Sequence, residues 1–216
     1  MKLAFLTRPH LPDPIRADGT CTRCPMQLRL KKEYDTSWRC QVNIRWEKDE
    51  IRGVQLDTVR EEKFGPEITD PLGVEDWVRR AQKAVLNPST SSSEYLGMYE
   101  DDNVNELRFS QNVVCINVVG NNLPNLSLMD LPGIIRHTED GDMNLVKMIM
   151  DAVDWYISRP NSIIIATITC KDDIENQEIV QKARIHDPEG KRTLGVLTKP
   201  DTIESGCHEK YFNIIA

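Results

Sequence analysis

The stretch NLSLMDLPGII, residues 125–135, places an aspartate at the end of an apolar run and a glycine three residues later. The run 126–129 has the composition of a short buried strand, so Asp130 stands at its carboxyl end. A carboxylate at such a strand end can hold Mg²⁺ through a water, because this ion keeps most of its hydration shell. Gly133 would let a backbone N–H approach a phosphate without an intervening side chain. The stretch therefore predicts one edge of a phosphate and magnesium site.

Strand-like runs and helix-like segments alternate along the second half of the chain, a pattern typical of a parallel sheet with crossover helices. We expect residues 112–119 and 126–129 to form a hairpin, and residues 162–169 to be a strand buried on both faces. In chain order the predicted elements are strands 112–119 and 126–129, helix 142–158, strand 162–169, helix 172–185 and strand 193–198. Ligands of open α/β sheets bind at the carboxyl ends of such strands.

The first half is less regular. Residues 24–30 and 38–46 alternate enough to predict two antiparallel strands joined by a turn at residues 35–37, and residues 74–86 fit one helical face. The serine-rich segment 87–103 is predicted to be a surface loop.

Composition restricts the function classes. The chain has 216 residues, a formal charge of −7 and 39% hydrophobic residues, so it can bury a core but is a poor ligand for nucleic acid or anionic lipid. The first residues are too short an apolar run for a signal peptide, so we expect a cytoplasmic protein with reduced thiols.

Cys21 and Cys24 form a lone C-x-x-C pair, and a second pair at zinc-ligand spacing is missing, with Cys207 a weak substitute.

Two further motifs accompany Asp130 and Gly133. Thr22 lies in the polar loop DGTCTRCP, where a hydroxyl could complete a magnesium octahedron and sense a terminal phosphate. T-K-P-D at residues 198–201 supplies Asp201, whose carboxylate can accept both N–H donors of a guanine edge, a pattern that adenine lacks. The aliphatic stem of Lys199 can lie along the nucleotide. Alone, each motif could be a polar turn, but their order at predicted strand ends favours a guanine-nucleotide site.

These residues resemble the dynamin superfamily of large GTPases, particularly its fungal Mx-like members. The resemblance covers roughly residues 16–210 and is carried by ADGTCTRCPMQLRLK, LRFSQNVVCINVVGNNLPNLSLMDLPGI and DPEGKRTLGVLTKPDTIESG. It implies a three-layer G domain of the P-loop NTPase type, with a mainly parallel sheet, that binds GTP and Mg²⁺ and hydrolyses GTP to GDP and phosphate. It implies switch I near residues 16–25, switch II at 130–140 and base recognition at 198–201.

The same resemblance assigns roles to single residues. Thr22 would be the catalytic switch I threonine and a magnesium ligand, and Asp130 would hold both magnesium and nucleotide. Gly133, Thr198, Lys199 and Asp201 would contact the nucleotide. The family also implies a G-domain homodimer or pairing with dynamin-like relatives. Contacts with a membrane, an organelle or microtubules would be made only by stalk and assembly domains that these residues do not include.

One expected motif is missing from the printed residues. None of the eleven glycines begins a G-x-x-x-x-G-K-[ST] loop, and Arg192 follows the single G-K pair, Gly190-Lys191. In the resembling family the loop lysine would fall near Met1. We therefore expect an interior fragment, residues 1–216 of a partial G domain, that lacks the first strand and the phosphate-binding loop and has impaired GTPase activity.

Two alternatives stay open at this point. The chain could be a non-catalytic fragment that pairs with full-length dynamin-like relatives through the switch surface. It could also be a zinc module on Cys21, Cys24 and Cys207, which metal analysis would test.

Overall fold

The computed structural model describes residues 22–97, 105–135, 138, 140–171, 173–203, 206, 209 and 211. The chain divides into two compact units, Met1–Gly133 and Ile134–Ala216. The first is built on a five-stranded sheet and the second on a two-stranded sheet. Within the described residues, no helix is long and apolar enough to cross a membrane.

The first unit confirms the α/β class with a mixed sheet. Its elements are β1 (Met26–Lys32), β2 (Arg39–Asp49), β3 (Val54–Lys63), α1 (Val74–Leu86), β4 (Val113–Gly120) and β5 (Leu126–Asp130). The strands follow the spatial order β3-β2-β4-β1-β5. β1 runs parallel to β4, whereas the pairs β1–β5, β2–β4 and β2–β3 are antiparallel, so the expectation of mainly parallel pairing is wrong for this sheet.

The two predicted hairpins are also wrong, because a third strand separates the members of each pair. β4 lies between β1 and β2, and β1 lies between β4 and β5. The side chain of Asn125, in the turn before β5, accepts a hydrogen bond from the Lys32 backbone N–H at 2.8 Å. This contact ties the turn to the end of β1, and β5 therefore continues beside β1 instead of folding back on β4.

One face of this sheet is apolar and packs against α1. The alternation of side chains along a strand places Leu28, Val42 and Ile116 on the same face, at paired positions of three adjacent strands. All three are buried in one core cluster with Ala81 and Val85 of α1. The amphipathic pattern of residues 74–86 therefore predicts both the helix and its buried side.

The opposite face carries polar side chains joined in a network. The guanidinium of Arg29 donates two hydrogen bonds to the carboxylate of Glu61, at 2.7 and 3.0 Å. The Gln27 Oε1 accepts from Arg29 at 2.8 Å and from Arg45 at 2.6 Å. These contacts link three strands, and they keep half-buried charges paired.

The second unit contains the predicted parallel pairing. Its elements are α2 (Met143–Ile157), β6 (Ile164–Thr169), α3 (Glu178–His186) and β7 (Thr193–Thr198), with β6 parallel to β7. Asp142 caps α2 by accepting from the N–H groups of Asn144 and Leu145, both at 3.1 Å. Whether the helices of both units cover the sheets in three layers stays a prediction.

Contrary to expectation, β6 is buried on one face only. Ile164, Ala166 and Ile168 are buried, whereas Ile165 and Thr167 are exposed. β6 is also an edge strand in the described part of the unit, since β7 is its one partner. An uninterrupted apolar sequence thus did not distinguish a strand buried on both faces from one buried on a single face.

Candidate functional site

Thr22 and Asp130 are brought together although 108 residues separate them. β5 runs antiparallel to β1 with Met26 opposite Asp130, so the end of β5 lies beside the segment that enters β1. The Thr22 Oγ1 donates to the Asp130 Oδ2 at 3.5 Å. The strand pairing therefore places the two predicted magnesium ligands side by side.

The environment of this pair is partly desolvated. Burial raises the pKa of Asp130 above its usual value, and the hydrogen bond from Thr22 acts in the opposite direction. Cys24 lies near Asp130 and is 0% exposed. Its burial, together with the nearby Asp130 carboxylate, raises the pKa of the Cys24 thiol to about 12. Burial in the core thus favours the protonated thiol of Cys24 over the thiolate that zinc binds.

The oxygen pair fits a magnesium ion that keeps part of its hydration shell. Neighbouring ligands of an octahedral Mg²⁺ at ~2.0–2.1 Å lie about 3 Å apart, close to the 3.5 Å between Thr22 Oγ1 and Asp130 Oδ2. No group of three His, Cys, Asp or Glu side chains suited to a metal occurs in the described residues. Magnesium commonly takes one or two protein ligands and completes its shell with water and phosphate oxygens.

Gly133 leaves the backbone beyond β5 uncovered. Pro132 is buried and Gly133 is exposed. A Cβ added at Gly133 would have no heavy atom within 4 Å. The structure therefore leaves open the approach to this backbone that the sequence predicts for a phosphate.

The second motif forms a strained turn at the end of β7. Lys199 has φ 56° and ψ 50°, a left-handed conformation that is costly for any residue other than glycine. The Thr202 Oγ1 donates to the Lys199 carbonyl at 2.7 Å and stabilises the turn. Asp201 is exposed within it. The Thr198 hydroxyl donates to the Ile168 carbonyl at 3.1 Å, so this side chain fastens β7 to β6 and positions the turn.

The predicted site residues therefore fall into two groups. Thr22, Asp130 and Gly133 belong to the first unit, and Thr198, Lys199 and Asp201 belong to the second. That both groups line one nucleotide site stays a prediction. Parts of the predicted switches (residues 16–21, 136, 137 and 139) lie outside the described residues, as do Cys21 and Cys207.

Gln177, which no sequence motif singled out, completes the edge of β6. Its Nε2 donates to the Thr169 carbonyl at 2.8 Å, and its Oε1 accepts from the Thr169 N–H at 3.0 Å. The amide thereby takes the place of a neighbouring strand at the carboxyl end of β6. A single glutamine in a polar segment gives no sequence signal for such a contact.

Comparisons with known proteins identify the family of the chain. The Dynamin family model matches residues 4–200. The chain is similar to the interferon-induced GTP-binding protein Mx of Solea senegalensis, with 27% identity over 202 residues. It is also similar to MxB of Danio rerio, with 29% identity over 202 residues, and to Mx2 of Sus scrofa, with 29% identity over 203 residues. Each match covers 93% of this chain and between 23% and 27% of the relative. The chain thus spans about a quarter of the length of these curated relatives.

Proposed function

We propose that this chain, which belongs to the dynamin family, is part of a GTPase domain. It would hold the phosphates and magnesium of GTP near Thr22 and Asp130, and it would recognise guanine through Lys199 and Asp201. The observation that carries the proposal is the pairing of Thr22 with Asp130 at 3.5 Å. A turn-initiating aspartate would need no hydroxyl from a loop 108 positions away.

Three residues of the first unit, Thr22, Asp130 and Gly133, would contact the phosphates or the magnesium ion, each in a different way. The Asp130 carboxylate, partly removed from water, gains from a nearby cation more than an exposed carboxylate would. The Thr22 hydroxyl can give up its contact with Asp130 and turn toward a phosphate or the ion's shell. Gly133 offers an unobstructed backbone. When bound, Mg²⁺ would supply positive charge that offsets the negative charge of the phosphate oxygens.

Guanine recognition rests on the turn at the end of β7. The Asp201 carboxylate is exposed and can accept two parallel N–H donors from a guanine edge. The left-handed conformation of Lys199 directs the chain sharply into the following helical turn. Conformational strain of this kind is common at ligand sites.

We further propose that GTP hydrolysis by these 216 residues is impaired, because they contain no G-x-x-x-x-G-K-[ST] segment. Such a loop donates several charge-assisted hydrogen bonds to phosphates, each worth ~1.5–3 kcal/mol. Without three of them, affinity falls by about three decades or more at ~1.4 kcal/mol per decade. Phosphoryl transfer suffers in addition, since it depends almost wholly on positioning and charge stabilisation.

The missing motif also favours a second function. A chain with weak nucleotide affinity could act as a non-catalytic partner that pairs with a second copy or with full-length dynamin-like relatives. Equilibrium sedimentation with and without GTP distinguishes the two, because pairing that ignores nucleotide would support the non-catalytic function.

Isothermal titration calorimetry tests the proposal. We expect wild type to bind GTP more tightly than ATP, and Asp201→Asn to weaken GTP binding about tenfold or more, since a side-chain amide cannot accept both donors. Asp57→Asn, at an exposed position of β3, is the matched control and should bind GTP like wild type. Equal GTP affinity in wild type and Asp201→Asn would refute the assignment.

A further inference from the structure

Two fully buried polar side chains precede β4 and play no part in the proposed nucleotide contacts. Ser110 is 0% exposed and Asn112 is 1% exposed. A buried polar group without partners is costly, so such residues are kept where they complete hydrogen bonds that the fold needs. Both side chains hold a specific piece of backbone.

Asn112 secures an irregularity in the β2–β3 hairpin. Its Oδ1 accepts from the N–H groups of Glu47 and Lys48, at 2.8 and 2.9 Å, and its Nδ2 donates to the Lys48 carbonyl at 3.1 Å. The register of β2 against β3 shifts between Trp46 and Lys48. Asn112 thus supplies partners to backbone groups at the point where the ladder is interrupted.

Glu50, at the tip of the same hairpin, holds the residues before β4. Its Oε1 accepts from the Ser110 hydroxyl at 2.8 Å and from the Gln111 N–H at 2.7 Å. The Ser110 hydroxyl in turn accepts from the Asn112 N–H at 3.1 Å. A single carboxylate therefore fixes residues 110–112 relative to the hairpin.

This network reaches the Thr22 segment through the backbone of Ser110. The Ser110 N–H donates to the Arg23 carbonyl at 3.0 Å, and the Val114 N–H donates to the Pro25 carbonyl at 3.1 Å. Arg23 directly follows Thr22, whose hydroxyl contacts Asp130. The side chain of Ser110 is therefore bound to the hairpin tip, and its backbone N–H is bound to the carbonyl next to Thr22.

We propose that Glu50, Ser110 and Asn112 are positioning residues for Thr22, and that through them the β2–β3 hairpin controls how Thr22 is placed against Asp130. None of the three touches the proposed ligand. The consequence for GTP rests on the proposed function, whereas the placement of Thr22 can be measured without any nucleotide. A partner that moves the hairpin would then alter the phosphate-sensing threonine from a distance.

The test compares Glu50→Ala with Asp49→Ala in the full chain. Asp49 is the adjacent residue, and its Oδ1 accepts from the Arg52 N–H inside the hairpin turn and not from residues 110–112. The readouts are the methyl resonance of Thr22 in threonine-labelled protein and the amide exchange rate of Ser110. We expect Glu50→Ala to shift the Thr22 resonance and to speed Ser110 exchange about tenfold or more, and Asp49→Ala to change neither.

Two more variants keep the test decisive. Glu50→Gln retains one acceptor oxygen and should restore most of the Thr22 resonance position, and Ser110→Ala should reproduce the shift if Glu50→Ala fails to fold. An unchanged Thr22 resonance, or the same change in Asp49→Ala, would overturn the proposal.

With GTP and Mg²⁺ added, Glu50→Ala should weaken GTP binding while the preference for GTP over ATP is kept. If wild type binds no GTP, the proposed function fails, and the resonance and exchange data still decide the positioning role.

Discussion

The Thr22 hydroxyl donates a hydrogen bond to the carboxylate of Asp130, with 3.5 Å between Oγ1 and Oδ2. The two oxygens come from a loop and a strand end that only the β1–β5 pairing brings together. The pair is therefore a product of the tertiary fold, and we expect changes at Asp130 to alter stability and, under the proposed function, ligand binding.

Asp130→Asn should stabilise the unliganded protein at neutral pH. The pKa of Asp130 is raised in the folded state, so folding favours its protonated form. The stability that protonated Asp130 contributes is fully present below the pKa of Asp130 in the unfolded state, and it is lost as the pH rises through the pKa of Asp130 in the folded state. Urea unfolding at pH 7 should therefore give a higher midpoint for Asp130→Asn, with a smaller difference at pH 4. Asp57→Asn is the control, and a lower midpoint for Asp130→Asn at pH 7 would contradict this account.

Lys199→Gly should stabilise the chain by roughly 0.5–1 kcal/mol, because the relief of about 1–2 kcal/mol of left-handed strain exceeds the added backbone entropy cost of glycine, about 0.5–1 kcal/mol. Under the proposed function, the same change should also weaken GTP binding, because it removes the aliphatic stem that we propose lies along the nucleotide. Lys191→Gly is a matched control at a position without positive φ and should destabilise. Thermal unfolding and calorimetry measure both effects, and a destabilised Lys199→Gly would rule out stored strain at this turn.

Gly65→Ala should destabilise the first unit by about 3 kcal/mol, from overpacking and left-handed backbone strain together. Gly65 has φ 76°, and an added Cβ would overlap the indole of Trp77. Gly53→Ala isolates the backbone effect, because Gly53 has φ 70° and no heavy atom within 4 Å of the added Cβ. We expect it to cost about 1 kcal/mol. Similar unfolding midpoints for the two variants would contradict the packing of Trp77 on Gly65.

The ion pair between α2 and α3 should contribute to acid stability. Lys182, with a side chain 10% exposed, donates to both Asp154 carboxylate oxygens, at 2.7 and 2.8 Å. The His186 Nε2 lies 3.0 Å from the Asp154 Oδ1. Burial alone would raise the pKa of Asp154, but the hydrogen bonds from Lys182 and His186 outweigh it and lower the pKa. The stabilisation is therefore present above the unfolded pKa and lost as the pH falls through the folded pKa.

Asp154→Ala should consequently destabilise more than Lys182→Met, by about 1–2 kcal/mol after allowance for the partly exposed carboxylate. The aspartate change leaves an ammonium buried without its carboxylate, whereas methionine fills the same space without charge. Urea unfolding at pH 7 measures the difference, and it should shrink below pH 4. The reverse order of stability would show that the buried lysine does not depend on Asp154.

The sequence predicted the elements of this fold better than their pairing. Helix α1 and strand β7 were predicted at their observed bounds, and α2 within one residue at each end. α3 was predicted to start too early, because a short 3-10 helix at Ile174–Asn176 precedes it. β3 was missed, since its side chains are mostly exposed on both faces and show no alternation.

The errors in pairing have a common physical cause. A strand's own periodicity defines its buried face but not its neighbour, which depends on contacts distant in sequence such as Asn125 with Lys32. The same holds for the candidate site. Thr22, Asp130 and Asp201 carry side-chain chemistry that a motif can reveal, whereas Ser110, Asn112 and Gln177 act on backbone groups whose location only the structure supplies.

The most direct test of the central claim is the rate of phosphate release from GTP by two folded proteins. One is the 216-residue chain, and the other is the same chain preceded by the strand and G-x-x-x-x-G-K-[ST] loop of an Mx relative. We predict that the extended protein releases phosphate from GTP and not from ATP, and that Thr22→Ala or Asp201→Asn in the extended protein removes most of this activity. We predict that the 216-residue chain is at least a hundredfold slower, in line with ~1.4 kcal/mol per decade. An extended, cooperatively folded protein that hydrolyses no GTP, or that is no faster than the 216-residue chain, would contradict the account.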